Sequence, residues 1–185
     1  MDLPYSEKEL KKAKKCLRDM KDIESKENKD LLIDFESNWI DFLNNLEKIW
    51  KKSELECNNI SNFQPWQGSF KKERRRDPLL KYLKNARDAD QHSIQPITIE
   101  KDYEINIISP KEGQTFGFGE KIEIKTEIKE PRIETKAFKN RGVIYEPPLK
   151  HLNNKIKNPK DPIELTELGI IFYEEYLNKI KVKFK

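Results

Sequence analysis

The chain has 185 residues, of which 35% are hydrophobic and 38% are charged, and its 37 Lys and Arg against 33 Asp and Glu give a formal net charge of +4. This length suits one domain with at most an appendage, and it excludes two domains with full-sized cores. No apolar run reaches the roughly 20 residues that a membrane-spanning helix needs. Cys16 and Cys57 match neither a disulfide framework nor a zinc spacing. We therefore expect a cytoplasmic protein without membrane association, metal or cofactor.

Two amphipathic helices are predicted in the first third of the chain. Apolar residues recur every three or four positions from about Ser6 to Glu27, and Ser6 and Glu9 have the spacing of a capping box at the start of this helix. A second and broader apolar stripe follows and continues to about Lys52. Both stripes predict helices that bury one face in a common core.

The segment from Ser53 to Arg76 is predicted to be a connector, because Pro65 and Gly68 interrupt the helical pattern. Its Trp66 either fixes the connector to the core or is free to stack on a nucleic-acid base.

A third helix is predicted directly after this connector. Asp77 supplies an N-cap, Pro78 takes the first helical position, and the apolar pattern runs to about His92.

The apolar period changes from 3.6 to 2 after Pro96, which predicts β-structure. The four candidate strands cover residues 97–99, 103–107, 122–128 and 133–137. A glycine-rich turn from Gly113 to Gly119 separates the second strand from the third. We expect these strands to form one small antiparallel sheet.

The order of these elements predicts a mainly α (α+β) fold. A last helix opens at Asp161 and Pro162, so the expected architecture is an antiparallel bundle of about four helices with a small antiparallel β region inserted between the third and fourth. Within a single domain, residues 1–95 form the first part of the bundle, 96–148 the β-rich insertion, and 149–185 a connector and the last bundle helix.

A basic cluster precedes the third helix. Lys71, Lys72, Arg74, Arg75 and Arg76 place five cations within six residues. Such a cluster can neutralise a phosphate backbone and release its counterions, so these residues are candidates for binding RNA. The alternative is a solvated basic loop without a ligand.

A short motif ends the third helix: Arg87, Asp88, three further residues, and His92. RNA is cut without a metal when a base removes the 2′-OH proton, an acid protonates the leaving oxygen and a cation stabilises the added charge. His92 suits the acid–base role and the Arg87 guanidinium suits phosphate contact. Asp88 precedes His92 by one helical turn, where it can orient the imidazole ring.

This arginine, polar residue and histidine pattern resembles the signature of the HEPN superfamily, whose members are small helical bundles that carry the motif at a helix end. The resemblance implies a homodimeric, metal-independent endoribonuclease in which two copies of the motif face each other. It also implies a toxin or defence setting, with an antitoxin protein as a partner. Because Arg87 and His92 lie about 140° apart around an ideal helix, their convergence needs a long arginine side chain, a distorted helix end or a second subunit.

Two other interpretations of the motif stay open. Arg87, Asp88 and His92 are also compatible with an ordinary C-terminal turn of a surface helix, where cations are favoured by the helix dipole. The whole protein is then a non-catalytic helical module that binds a protein or a nucleic acid.

Overall fold

A computed structural model describes residues 1–25, 31–108 and 125–185. Within these ranges the fold is mainly α with short antiparallel strand pairs, which confirms the predicted class. The helices are α1 (Pro4–Glu24), α2 (Leu31–Glu56), α3 (Phe63–Arg76), α4 (Pro78–His92) and α5 (Pro162–Lys183). The strands are β1 (Thr98–Lys101), β2 (Glu104–Ile108), β3 (Lys125–Lys129), β4 (Arg132–Thr135), β5 (Phe138–Asn140), β6 (Val143–Tyr145), β7 (Lys150–His151) and β8 (Asn154–Lys155). None of these helices is long and apolar enough to cross a membrane.

The helices form a bundle in which α1 packs on α2 and α5, while α2 and α5 both contact α4. Gly169 permits the close approach of α5. A Cβ atom at this position would lie 3.1 Å from Cδ1 of Leu83 on α4 and 3.2 Å from Cζ of Phe42 on α2. A methyl group here would make unusually close contacts, so the three helices pack tightly at this point.

The start of α1 differs from the capping box predicted at Ser6 and Glu9. The helix begins two residues earlier, at Pro4, and the carboxylate of Glu56 on α2 accepts hydrogen bonds from the backbone N–H groups of Tyr5 (2.8 Å) and Ser6 (3.1 Å). Glu9 is buried instead, where it pairs with Lys52 at 2.6 Å and with Lys12. A carboxylate distant in sequence thus provides the cap that a local residue was expected to provide. The predicted end at Glu27 lies outside the described residues.

The predicted connector from Ser53 to Arg76 is wrong, because α2 continues to Glu56 and α3 occupies Phe63–Arg76. Pro65 lies in the first turn of α3, where a backbone N–H has no intrahelical partner and proline costs little. Within the described residues the bundle consequently has five helices, where about four were predicted. Trp66 packs against Phe70 and Tyr176, with ring centroids 4.9 and 6.3 Å away, so it belongs to the core and is not a free stacking platform.

The β region forms separate two-stranded ladders, which corrects the expectation of one four-stranded sheet. Strand β1 pairs with β4, β2 with β3, β5 with β6 and β7 with β8. Alternating apolar residues predict that a segment is extended, but the choice of partner depends on which neighbour the connecting turns bring alongside. The hairpins β5–β6 and β7–β8 were not predicted.

The chain divides into two compact units. The helical unit comprises Met1–Ile99 and Ile133–Lys185, and the hairpin unit comprises Glu100–Arg132. The hairpin unit is narrower than the predicted insertion at 96–148, because residues 96–99 and 133–148, which include β5 and β6, belong to the helical unit. Within the hairpin unit β2 and β3 are antiparallel, with Ile105 opposite Ile128. The predicted turn at Gly113 to Gly119 lies outside the described residues.

Candidate functional site

Helix α4 carries the predicted motif, and its ends are formed by local sequence signals. Oδ1 of Asp77 accepts a hydrogen bond from the N–H of Leu80 at 2.9 Å, and Pro78 occupies the first turn. At the other end the chain leaves the helix after His92, because Ser93 adopts an extended conformation. The predicted third helix from Asp77 to His92 is therefore confirmed as α4.

Arg87 is half-buried and turned toward α2. Its Nη2 atom donates to Oε1 of Gln91 at 2.7 Å and lies 3.5 Å from Oδ1 of Asp88. Gln91 in turn donates from Nε2 to Oδ1 of Asn44 on α2 at 3.1 Å. The Nε atom of Arg87 is buried and has no hydrogen-bond partner among the described residues. The guanidinium is thus held by neighbouring side chains of its own chain.

His92 is exposed, and its ring makes no hydrogen bond with any residue that the structure describes. It lines an open depression of about 420 Å³ together with two exposed cations, Lys139 and Arg141. Asp88, the residue expected to orient the His92 ring, is placed beside Arg87 instead. The depression therefore combines a free imidazole with two positive charges.

The structure does not bring Arg87 and His92 together within one chain. Arg87 lines a different and much smaller depression, with Glu47, Arg74 and Tyr173 among its neighbours. Their separation of five positions places the two side chains about 140° apart on a regular helix. Neither a distortion of the helix end nor the length of the arginine side chain closes this gap.

The hairpin that supplies Lys139 and Arg141 is fixed to α4 by polar contacts. Oε1 of Gln95 accepts from the backbone N–H of Lys139 at 3.0 Å, and the Gln95 amide donates back to the Lys139 carbonyl. Nδ2 of Asn140 donates to Oδ1 of Asn85 on α4 at 3.0 Å. The second wall of the depression is therefore anchored to the helix that carries His92.

The turn of this hairpin has an unusual backbone at Arg141. Arg141 and Gly142 both have positive φ angles, 48° and 82°, as a two-residue type I′ turn requires. Glycine accepts this conformation readily, whereas arginine adopts it at a cost. The sequence signal was present, since Asn-Arg-Gly between two short alternating segments is typical of a hairpin.

The predicted RNA-binding cluster is divided between buried and exposed positions. Arg74 points into the protein: its Nη2 lies 2.7 Å from Oε2 of Glu47, and its guanidinium lies 4.2 Å from the centroid of the Trp50 ring. Lys71 lies 3.2 Å from Oε1 of Glu54. Arg74 is thus unavailable to a phosphate. The other three cations, Lys72, Arg75 and Arg76, are exposed.

Lys72 and Arg76 line a second open depression, of about 300 Å³, at the start of α4. Lys150 of β7 lines it too, and sequence reasoning missed this residue because Lys150 is 74 positions from Arg76. Pro78 completes the side that α4 contributes. This depression therefore gathers three cations from two distant segments.

A buried pair fixes β7 to the start of α4. Nδ1 of His151 lies 2.9 Å from Oδ1 of Asp77, and the backbone N–H of Leu152 donates to Oδ2 of Asp77 at 2.7 Å. Burial would raise the pKa of Asp77, but the hydrogen bonds from His151 and from the backbone N–H groups of Leu152 and Leu80 outweigh it and lower that pKa. His151 is therefore a structural residue that holds Lys150 in place.

Comparisons of the chain with protein-family models, with curated proteins and with solved structures find no match. In the part of the chain that the structure describes, no group of three or more His, Cys, Asp or Glu residues is arranged to hold a metal ion.

Proposed function

We propose that this protein is a HEPN-like, metal-independent endoribonuclease that works as a homodimer. The observation that carries the proposal is the position of His92, exposed and free of hydrogen bonds to described residues beside Lys139 and Arg141. No carboxylate pairs with either cation among the described residues. A proton-transferring group thus lies next to uncompensated positive charge at an open surface.

This set of groups fits the cleavage of RNA through its own 2′-OH. The 2′-oxygen attacks phosphorus while a base takes its proton, the bond from phosphorus to the 5′-oxygen breaks, and an acid protonates that leaving oxygen. His92 serves as the acid or the base. Lys139 and Arg141 offset the extra negative charge of the phosphorane. The products are a 2′,3′-cyclic phosphate and a 5′-hydroxyl end.

A second copy of the chain is needed if Arg87 takes part. Within one chain Arg87 faces away from His92, so the arginine that reaches the histidine has to come from the partner, as the resemblance to HEPN ribonucleases implies. Asp88 and Gln91 then position Arg87 rather than His92. In this proposal the enzyme is a cytoplasmic toxin or defence effector, held inactive by an antitoxin protein.

A second candidate function is a non-catalytic module that binds nucleic acid. One observation favours it: Arg87 already has hydrogen-bonding and charged partners in its own chain, Gln91 and Asp88. In this alternative the motif only stabilises the last turns of α4, and the exposed cations bind phosphates without reaction.

The test is cleavage of a mixed RNA substrate in EDTA by the wild type, His92→Ala and Ile94→Ala. Ile94 is fully exposed just beyond α4, so its substitution controls for disturbance of the helix end. We expect His92→Ala to lose activity by about 100-fold or more, as the loss of a general acid or base typically causes, and Ile94→Ala to keep it. Equal cleavage by all three proteins, or none by the wild type, would refute the nuclease. RNA binding without cleavage would establish the alternative.

A further inference from the structure

The two basic depressions open on the same face of α4. Pro78 lines the first and His92 lines the second, and these residues are fourteen positions apart. Fourteen residues complete four helical turns to within about 40°, so both residues point to nearly the same side of α4. They lie about 21 Å apart along the helix axis. The depressions therefore lie at the two ends of one side of α4, against which β5 also packs.

The cations that line the two depressions outnumber the carboxylates there. Five exposed cations line them: Lys72, Arg76 and Lys150 at the start of α4, and Lys139 and Arg141 at its end. None of the five forms an ion pair with a carboxylate in the described ranges. Glu73 and the buried Asp77 are the acidic residues on their walls. Each end of α4 thus attracts anions.

The surface between the depressions is polar and fixed. Lys81 and Asn85 follow Pro78 by three and seven positions, so they lie on the same face of α4. Lys81 is exposed, and its Nζ lies 5.7 Å from the centroid of the Tyr145 ring. Asn85 donates to the Lys81 carbonyl and accepts from Asn140. A ligand that reaches both depressions therefore passes Lys81 and the partly buried, hydrogen-bonded amide of Asn85.

We propose that this face of α4 is a track for a single strand of RNA, whose phosphates occupy both depressions while the chain between them follows Lys81 and Asn85. The inference deepens the proposed function, on which it rests, by naming the form of the substrate and the residues that hold it away from His92. A single strand fits because its backbone bends into separate concavities and tracks a basic groove. An anionic membrane is flat and touches raised surfaces rather than depressions about 21 Å apart.

The binding test uses a fluorescein-labelled DNA strand of about 12 nucleotides, a length within the usual site sizes of single-strand binders. A DNA strand has no 2′-OH, so it cannot be cut by the proposed chemistry. The variants are Arg76→Glu in one depression and Arg141→Glu in the other. Lys51→Glu is the matched control, since Lys51 is exposed on α2, lines neither depression, makes no ion pair with a described residue, and undergoes the same change of charge.

We expect each track variant to weaken binding by about tenfold or more. The slope of log affinity against log salt should also fall by about 0.7 for each phosphate that the variant no longer neutralises. Lys51→Glu should change affinity by less than about threefold, through net charge alone. A strand of about three nucleotides is too short to reach both depressions, so it should respond to only one of the two track variants.

Three results would overturn the track. The first is equal weakening of strand binding by all three substitutions, and the second is no effect of either track substitution. The third is that Arg76 and Arg141 are needed for binding to phosphatidylglycerol vesicles but not for binding the strand. The outcomes are independent of catalysis. If the strand binds as described but RNA is not cut, the track holds and the nuclease fails. If RNA is cut while both track variants bind like Lys51→Glu, the nuclease holds and the track fails.

Discussion

Arg87 and His92 lie on different sides of α4 and line different depressions. Arg87 is bound to Gln91 and Asp88 on the side of α2, whereas His92 faces the hairpin of Lys139 and Arg141. Because the two side chains point apart, they can form a catalytic site only if other residues supply a cation near His92 or a histidine near Arg87. The cations that line the depression of His92 are those of the hairpin. In the proposed nuclease, the arginine comes from a second copy.

Arg74 and Arg75 are adjacent in the sequence and should respond oppositely to substitution. Arg74→Ala leaves Glu47 without its partner in a nearly buried site and removes the contact with Trp50. We expect it to lower the free energy of unfolding by about 3 kcal/mol, as the breaking of a buried ion pair does. Arg75→Ala removes an exposed side chain and should change the free energy of unfolding by less than about 0.5 kcal/mol.

Urea unfolding followed by far-ultraviolet circular dichroism measures both values. If Arg75→Ala were as destabilising as Arg74→Ala, the assignment of Arg74 to the core and of Arg75 to the surface would be wrong.

Asp77 should make stability depend on pH in the acidic range. Its folded-state pKa is lowered, so its carboxylate stabilises the fold above the ordinary pKa of an aspartate, and this contribution is lost as pH falls through the lowered value. Asp77→Asn cannot accept the same hydrogen bonds from Leu80, Leu152 and His151 together. We expect it to lower the free energy of unfolding by about 1–3 kcal/mol at pH 7.

The difference between the wild type and Asp77→Asn should shrink as pH falls below about 4, because the aspartate becomes protonated. Urea unfolding at several pH values between 7 and 3 measures it. A difference that stays constant over this range would contradict the account of Asp77.

Gly68 and Gly169 form a matched pair, since both lie in helices but in different surroundings. A Cβ atom at Gly68 meets no atom within 4 Å, so Gly68→Ala should stabilise the protein by about 0.5–1 kcal/mol through helix propensity. A Cβ atom at Gly169 approaches the buried side chains of Leu83 and Phe42. Overpacking there should exceed the gain in propensity, giving a net loss of about 1 kcal/mol.

Thermal and urea unfolding of the two alanine variants compare these effects directly. Equal stabilisation by both substitutions would show that α5 does not pack tightly against α2 and α4 at this point.

The helices that were predicted correctly carry their signals within a few residues. Helix α4 has its N-cap at Asp77 and a proline in its first turn, and α5 repeats this arrangement at Asp161 and Pro162. Helix α3 was missed because proline and glycine usually interrupt helices. Its stability comes from aromatic contacts with a helix more than 100 positions away, which no local pattern contains.

The candidate site was predictable only in part, for the same reason. His92 and the exposed cations Lys72 and Arg76 belong to local patterns. Lys139 and Arg141 lie beside His92 because the hairpin donates hydrogen bonds to Gln95, just beyond α4, and to Asn85 on α4. Such contacts join segments far apart in the chain and depend on the finished fold.

A site shared between two copies is tested by RNA cleavage in EDTA. The proteins compared are the wild type, Arg87→Ala, His92→Ala, and an equimolar mixture of the two variants after reassociation. If a site takes its arginine from one copy and its histidine from the other, each mixed dimer contains one intact site. We then expect the mixture to regain about a quarter of the wild-type activity, since about half of the dimers are mixed and each has one site of two. Wild-type cleavage with no recovery in the mixture would contradict the shared site, and absence of cleavage by the wild type would contradict the nuclease itself.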